Sequence, residues 1–279
     1  MKAKVYVLCI ALIALSISVS AQYYYKDIVK TQTLNSEFAI LKNENLSTIA
    51  LKSFEDDGTA SEKFFCEKKI EKNYLRSEMI SRSYITGQSL LTSFYNGKGL
   101  IIQTTDSTET AIGKTFYEYD DQKRLKVIRT ITKANDEQQS ITERHEYFYT
   151  DAGKPQKMLR SKNNTVVSTI SFSLDDKMNV IDEEEIMKGI KGKKYFYYYD
   201  DKNHLTDVVH YNERAKRLLP DYMLEYNSQG QLRQMISVEE GASNYYTWKY
   251  AYNDLKLKET EKCYSKEKRV LGTIEYEYK

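Results

Sequence analysis

The chain has 279 residues, of which 42 are basic and 40 acidic, with three histidines, three cysteines, two prolines and eleven glycines. A formal charge close to zero gives no electrostatic reason to bind nucleic acid or an anionic membrane, and no low-complexity linker divides the chain. The compositional anomaly is tyrosine, 25 residues against nine phenylalanines.

Residues 1–21 begin with Lys2 and Lys4, continue with an apolar run from Val5 to Val19, and end on small residues at Val19 and Ala21. That order predicts a signal peptide cleaved before Gln22, since a run of about 15 residues is shorter than the ~20 a membrane span needs. Cys9 lies inside the run without the small residues a lipoprotein signal wants before it, so no lipid anchor is expected. The mature chain would carry 40 basic and 40 acidic residues, because the leader removes two lysines.

From residue 22 to 61 the patterning is weaker. Phe38 to Phe54 reads as two short strands, or as a helix followed by a strand, and Glu55 to Thr59 as a turn. This segment is expected to be an atypical first repeat or cap, because a terminal repeat must shield an open edge. Residues 62–279 then form one repeat array.

Its clearest unit is Lys194 to Leu205. Tyr195, Tyr197 and Tyr199 alternate and so share one strand face. Asp200 follows, placed to accept a backbone N–H two residues on and close a turn. Asn203 occupies a position suited to positive φ, as do Gly153 and Gly230 in other copies, and Leu205 opens the return strand. Further copies end their first strand at positions 95, 119, 149, 174, 226, 252 and 278. With 199 included, successive anchors are 24, 30, 25, 25, 27, 26 and 26 residues apart, a period that marks a repeat array. Polar turns near Asn135, Asn163, Gly189, Asn212, Gly241 and Lys266 separate the copies. The expected fold is all-β, a long antiparallel meander of about 26-residue hairpin repeats, coiled into an open sheet.

The pattern Y-x-Y-D-x-x-G-x-L, seen at Tyr119 to Leu125, Tyr149 to Pro155 and Tyr226 to Leu232, resembles the YD repeats of the RHS family over about residues 91–279. Gly stands at the turn only at Gly153 and Gly230, and the usual Arg before Leu only at Arg124. The resemblance implies a strip of the β shell that such proteins wind around a toxin. No toxin-like domain follows the repeats here.

The chemistry-bearing residues are sparse. His145, His204 and His210 lack a metal-ligand spacing, and no P-loop, G-x-S-x-G or Cys-His pattern occurs. Asp120, Asp175 and Asp200 are explained as turn caps, and Asp182 to Glu185 reads as a solvated strand stretch. The paired aspartates offer two or three oxygens each, fewer than calcium requires. No enzyme, cofactor or metal is therefore expected. The aromatic face reads first as core, with cross-strand ring pairs, and second as a platform for glycan or protein, for which Tyr197, Tyr250 and Trp248 are the candidate binding residues.

These observations predict an exported, non-catalytic binding or structural module of the cell envelope, periplasmic, outer-membrane-associated or extracellular, with a glycan or an envelope protein as partner and no membrane span after leader removal. An envelope polysaccharide hydrolase and an outer-membrane barrel are the alternatives. Cys66 and Cys263 are expected to remain thiols, on the argument that an open sheet holds them ~70 Å apart.

Overall fold

The computed structural model describes residues 23–84, 86–239 and 244–279. The expected signal peptide and Gln22 lie outside the described residues. A single helix, α1 (Tyr25–Asn43), precedes β1 (Thr48–Phe54), β2 (Phe65–Ile70), β3 (Arg76–Ser83), β4 (Gly87–Tyr95), β5 (Ile101–Thr108) and β6 (Ala111–Tyr119). The meander continues with β7 (Leu125–Ala134), β8 (Ile141–Tyr149), β9 (Pro155–Lys162), β10 (Thr165–Leu174), β11 (Val180–Met187) and β12 (Ile190–Tyr199). It ends with β13 (Leu205–Asn212), β14 (Arg217–Tyr226), β15 (Leu232–Val238), β16 (Tyr245–Tyr252), β17 (Lys258–Tyr264) and β18 (Val270–Tyr278).

The sheet is closed, which corrects the open coiled array expected from sequence. Each strand pairs antiparallel with its chain neighbours, and β1 pairs with both β2 and β18 in one 18-stranded sheet. The last strand is not bare: Ile49 lies opposite Tyr278 and Leu51 opposite Tyr276. Outside the barrel, Lys52 pairs with Glu277 across the same seam. Alternation in Thr48–Phe54 thus matches the aromatic face of β18, and the amino-terminal segment supplies the closing strand instead of shielding an open edge.

Closure also changes the reason why the cysteines are thiols. Both are buried and neither is in a disulfide. Only β18 and β1 stand between β17, which holds Cys263, and β2, which holds Cys66. Three strand steps are about 14 Å at ~4.8 Å each, still twice the reach of a disulfide. Burial pushes the Cys66 thiol up to about 11.

Eighteen strands at ~4.8 Å spacing, tilted as barrels require, enclose a ring about 35 Å across if circular, too wide for strand side chains alone to fill. Helix α1 occupies that space. Its buried residues Ile28, Thr31, Phe38 and Leu41 fall on one stripe, and Asn35 on the same stripe accepts the Ile101 N–H at 3.0 Å. Nineteen residues make a helix about 28 Å long, enough to cross most of the lumen. Tyr24 and Ile28 join a core cluster with Tyr147, Ile170, Tyr195 and Val208, while Phe38 and Leu41 join another with Ile70, Tyr95 and Ile101. The helix stops at a left-handed Asn45 (φ 57°), with Leu46 N–H donating to Leu41 O and Asn45 N–H to Lys42 O. These are the two bonds that satisfy the last orphan carbonyls.

At one rim the tyrosine-strand hairpins repeat one geometry. In the turn from Asp200 to His204, the Asp200 N–H donates to His204 O and the Asn203 N–H returns to Asp200 O. The Asp200 carboxylate accepts the Lys202 and His204 N–H groups at 2.9 and 2.8 Å, and Asp120 does the same for Gln122 and Arg124. The fourth turn residue has positive φ in every copy, at Asn203, Gly153 and Gly230 as expected, but also at Lys123, Met178 and Lys256. The capping side chain and the strand register impose this conformation even where no glycine or asparagine eases it. Gly230→Val is expected to destabilise by ~1 kcal/mol or more, since its Cβ would also lie 3.0 Å from His204 Nε2. Lys123→Val should cost less, because that position already carries a Cβ at φ 62°; equal melting temperatures for Gly230→Val and wild type would contradict the assignment.

The same rim explains the tyrosines. Each hairpin of this kind has a bulge where the return strand begins, as between Tyr198 and Tyr199 opposite Leu205. The tyrosine ending the next hairpin's first strand donates its hydroxyl to the carbonyl of that return strand's first residue. Tyr119 reaches Ile101 O, Tyr199 reaches Val180 O, Tyr226 reaches Leu205 O, Tyr252 reaches Leu232 O and Tyr278 reaches Lys258 O, at 2.7–2.9 Å. Tyr149 makes the same bond to Leu125 O. Phenylalanine could fill the space but not satisfy the carbonyl. Tyr226→Phe is expected to lower stability by ~1 kcal/mol in urea unfolding with an unchanged m-value.

The outward face is polar and charged at mid-strand, with Glu67, Arg129, Arg144, Lys249, Lys262 and Glu275 among its residues. Cross-strand and same-strand ion pairs such as Arg144–Glu146 at 2.5 Å and Lys194–Asp182 at 3.3 Å lie on it.

Candidate functional site

Two places inside the barrel gather chemistry. The first is the grip on the start of α1. Glu183, on the inward face of β11 opposite Tyr195, is 2% exposed. Its two carboxylate oxygens accept the Tyr24 and Tyr25 N–H groups at 2.6 and 2.8 Å. A strand carboxylate therefore does the work of an N-cap for a helix whose own Tyr24 offers no capping side chain. Burial pushes the Glu183 carboxyl up to about 7, against the pull of those two N–H groups. The sequence expectation of a solvated Asp182 to Glu185 stretch fails at Glu183 and Glu185. The β period turns alternate acidic residues inward, and Glu185 accepts the Ser168 hydroxyl at 2.6 Å.

Beside Glu183 a second carboxylate, Asp27 of α1, bonds His145 Nδ1 at 2.8 Å and accepts the Tyr147 hydroxyl at 2.9 Å. His145 Nε2 meets Glu143 at 3.0 Å, and Arg160 Nε donates to the same Glu143 oxygen at 2.8 Å. Burial opposes charge on His145, yet Asp27 and Glu143 hold its pKa up at about 9. Glu143 in turn is drawn down to about 2, first by the His145 hydrogen bond and then by Arg160, with burial opposing. Both imidazole nitrogens are engaged by carboxylates, so the ring carries a fixed charge and has no nitrogen open toward a substrate hydroxyl. Among the described residues no group of three or more His, Cys, Asp or Glu side chains is placed to hold a metal ion.

The second place is the lumen wall of β14 to β16. Trp248 pairs with Met235 and with Cys263, and Tyr250 pairs with the buried Glu261, which puts both rings on the inward face. Tyr222, Leu224 and Tyr246 share that face. Yet none of the described residues from 210 to 256 is fully buried, although Tyr222 rests on Tyr23 beside the start of α1 with ring centroids 5.9 Å apart.

The three candidate binding residues part company. Trp248 and Tyr250 line this half-buried wall. Tyr197 is buried in the core, its ring 5.4 Å from Tyr25 and 5.9 Å from Tyr23. Sequence reasoning passed over Glu183, Asp27 and Glu143. Inward parity against Tyr195 was a readable signal for Glu183, whereas nothing local pointed to the pairing of Asp27 with His145, 118 residues away.

Comparison with known proteins is spare. No family model matches the chain, and no curated protein does. Among solved structures, a porin-like protein from Bacteroides uniformis is similar at TM-score 0.44 and 11% identity, over 84% of this chain and 98% of that one. A TcdB2–TccC3–TEV structure gives TM-score 0.33 and 12% identity over 77% of this chain but only 12% of that one. The Photorhabdus luminescens Tc holotoxin pore gives 0.28 and 10%, over 74% and 16%. Likenesses at these scores carry no argument about fold relationship or function.

Proposed function

We propose that this chain is an exported, non-catalytic β-barrel protein of the cell envelope that binds a glycan along the lumen wall of β14 to β16. The observation that carries the reading is the incomplete burial of that wall. Aromatic rings with polar tips, Tyr246, Trp248 and Tyr250, line a stretch of inner wall that holds no fully buried residue, and such rings stack sugar faces while their hydroxyl and indole N–H groups stay hydrogen-bonded. The non-catalytic part rests on the inner charged groups. Glu183, Asp27, His145 and Glu143 are committed to holding the helix.

The barrel is read as water-facing. Each Arg or Lys turned to lipid at mid-depth costs ~2–4 kcal/mol, and the outward face carries several at mid-strand, with the aromatic side inside. The repeat's capped turns and tyrosine anchors support kinship with the YD repeats of the RHS family. In this reading the strip closes on its own helix instead of enclosing a toxin. Export rests on the leader pattern of residues 1–21.

The single tryptophan makes the test direct. Titration with envelope polysaccharide fragments on a glycan array and in solution should shift Trp248 fluorescence, and Tyr250→Ala should abolish binding with little change in melting temperature. Failure of every glycan to perturb Trp248, or unaltered binding by Trp248→Ala and Tyr250→Ala, would end the proposal.

A further inference from the structure

The rim opposite the capped turns is not uniform. Its turns before β2 and β8 are acidic, with Glu55, Asp56 and Asp57 in one and Asp136 and Glu137 in the other. Three consecutive hairpin ends, β9–β10, β11–β12 and β13–β14, are basic. The first carries Lys162, the second Lys188, Lys191 and Lys193, and the third Arg214, Lys216 and Arg217; of these, Lys191 is ion-paired with Glu184 and Lys216 with Glu213. Positive charge is thus grouped on three consecutive ends of this rim, with one further basic end at β17–β18, where Lys266, Lys268 and Arg269 accompany Glu267.

The same three hairpin ends carry exposed large apolar side chains, as other ends of this rim do at Phe65, Tyr84, Ile112 and Ile141, but here the apolar tips adjoin three consecutive basic turns. Val166 is 57% exposed, Met187 44%, Ile190 73%, Tyr211 44% and Leu218 41%. Met187 pairs directly with Ile190, and Tyr211 with Leu218, so the apolar tips come as cross-strand couples at the ends of adjacent hairpins. The hairpin ends are tight. Asn163 and Asn164, then Lys188 and Gly189, all have positive φ, the two-residue turn that matches strand twist and holds its flanks rigid.

We propose that this rim docks the barrel on an anionic lipid bilayer, with Ile190, Met187, Val166 and Leu218 entering the headgroup boundary and the surrounding lysines and arginines meeting lipid phosphates. Tips at one end of a cylinder lie near one plane, which suits a flat surface better than a partner's groove. Aliphatic tips among Lys and Arg combine the two attractions that hold peripheral proteins at membranes, apolar burial and charge, with Lys and Arg stems lying along the interface. An acidic protein would match the charge but would leave five separate exposed apolar tips without matching pockets. The inference is independent of the glycan reading, since the lumen wall and this rim share no residue named for either.

The test uses the leaderless chain in vesicle flotation, with phosphatidylcholine alone and with phosphatidylcholine containing about 30% phosphatidylglycerol. Binding to the anionic vesicles is expected to exceed binding to neutral ones by tenfold or more and to be lost at 0.5 M salt. Ile190→Ser, at the exposed start of β12, and Lys188→Glu, in the exposed turn before it, are expected to weaken it at least fivefold while melting temperature stays unchanged. No flotation with anionic vesicles, or flotation unaffected by either variant, would overturn the proposal. So would binding to a soluble polyanion such as heparin that equals vesicle binding and is indifferent to Ile190→Ser, which would mark the rim as a polyanion or acidic-protein surface.

Discussion

His145→Leu is expected to destabilise the barrel by about 3–5 kcal/mol near pH 6, the cost of leaving buried charges without their partner. The imidazolium is 8% exposed and lies between Asp27 and Glu143. Removing it leaves Asp27 with the Tyr147 hydroxyl and Glu143 with Arg160 as their remaining partners, and takes away one of the bonds between α1 and β8. The effect should depend on pH with a definite sign. The folded pKa of His145 is raised, to about 9, so its contribution is complete below the unfolded value of ~6.5 and disappears as pH rises through 9. Glu183 is raised as well, to about 7, so its neutral form contributes below ~4.3 and that contribution is lost by pH 7. Glu143 is lowered, to about 2, and contributes above ~4.3, losing its effect as pH falls toward 2. Wild-type stability should peak near pH ~4.3 and decline from there toward pH 9, first through Glu183 and above ~6.5 through His145, whereas His145→Leu should show a flatter alkaline limb. Chemical denaturation across that range measures both. A variant whose decline from pH 6 to 9 matches wild type would refute the role given to His145.

Phe38→Ala should be comparably severe, about 3–5 kcal/mol. The ring is 2% exposed and stacks on Tyr95 with centroids 3.5 Å apart and planes within 5°. It anchors the far end of α1, as Glu183 and Asp27 anchor the near end. The specific expectation is that the helix loosens before the sheet. Amide exchange in Tyr25–Asn43 should rise well above that of β10 to β13, and the dye ANS should bind, while far-ultraviolet β signal persists. Uniform loss of protection across helix and sheet would show instead that helix and barrel form one cooperative unit.

Much of the local structure was legible in the residues. Period-two tyrosines, an Asp or Asn one step later and an apolar residue five steps after that define a hairpin through contacts no more than five residues apart, and local chemistry decides such contacts. The capping role of Asp120, Asp175 and Asp200 followed from this, as did the left-handed position of Gly230. The excess of tyrosine over phenylalanine was visible, but its cause was not. The carbonyl each hydroxyl reaches lies about twenty residues back, as Leu205 does from Tyr226, and only the neighbouring hairpin's bulge leaves it in need of a donor.

What the residues alone could not decide was how the two ends of the meander meet. An alternating strand such as Thr48–Phe54 is satisfied by any partner of matching polarity, so pairing with β18, 225 residues away at Lys52 and Glu277, becomes specific only when the twist of all the intervening strands brings them together. Closure then creates a lumen too wide for strand side chains, and that void makes a core element of a helix whose sequence is mostly polar. It turns Glu183 from one acid in a charged run into the cap of α1. The same closure sorts a neutral chain into acidic and basic arcs of one rim. Net charge is a sum over residues, while the field a partner meets depends on which turns the barrel sets side by side.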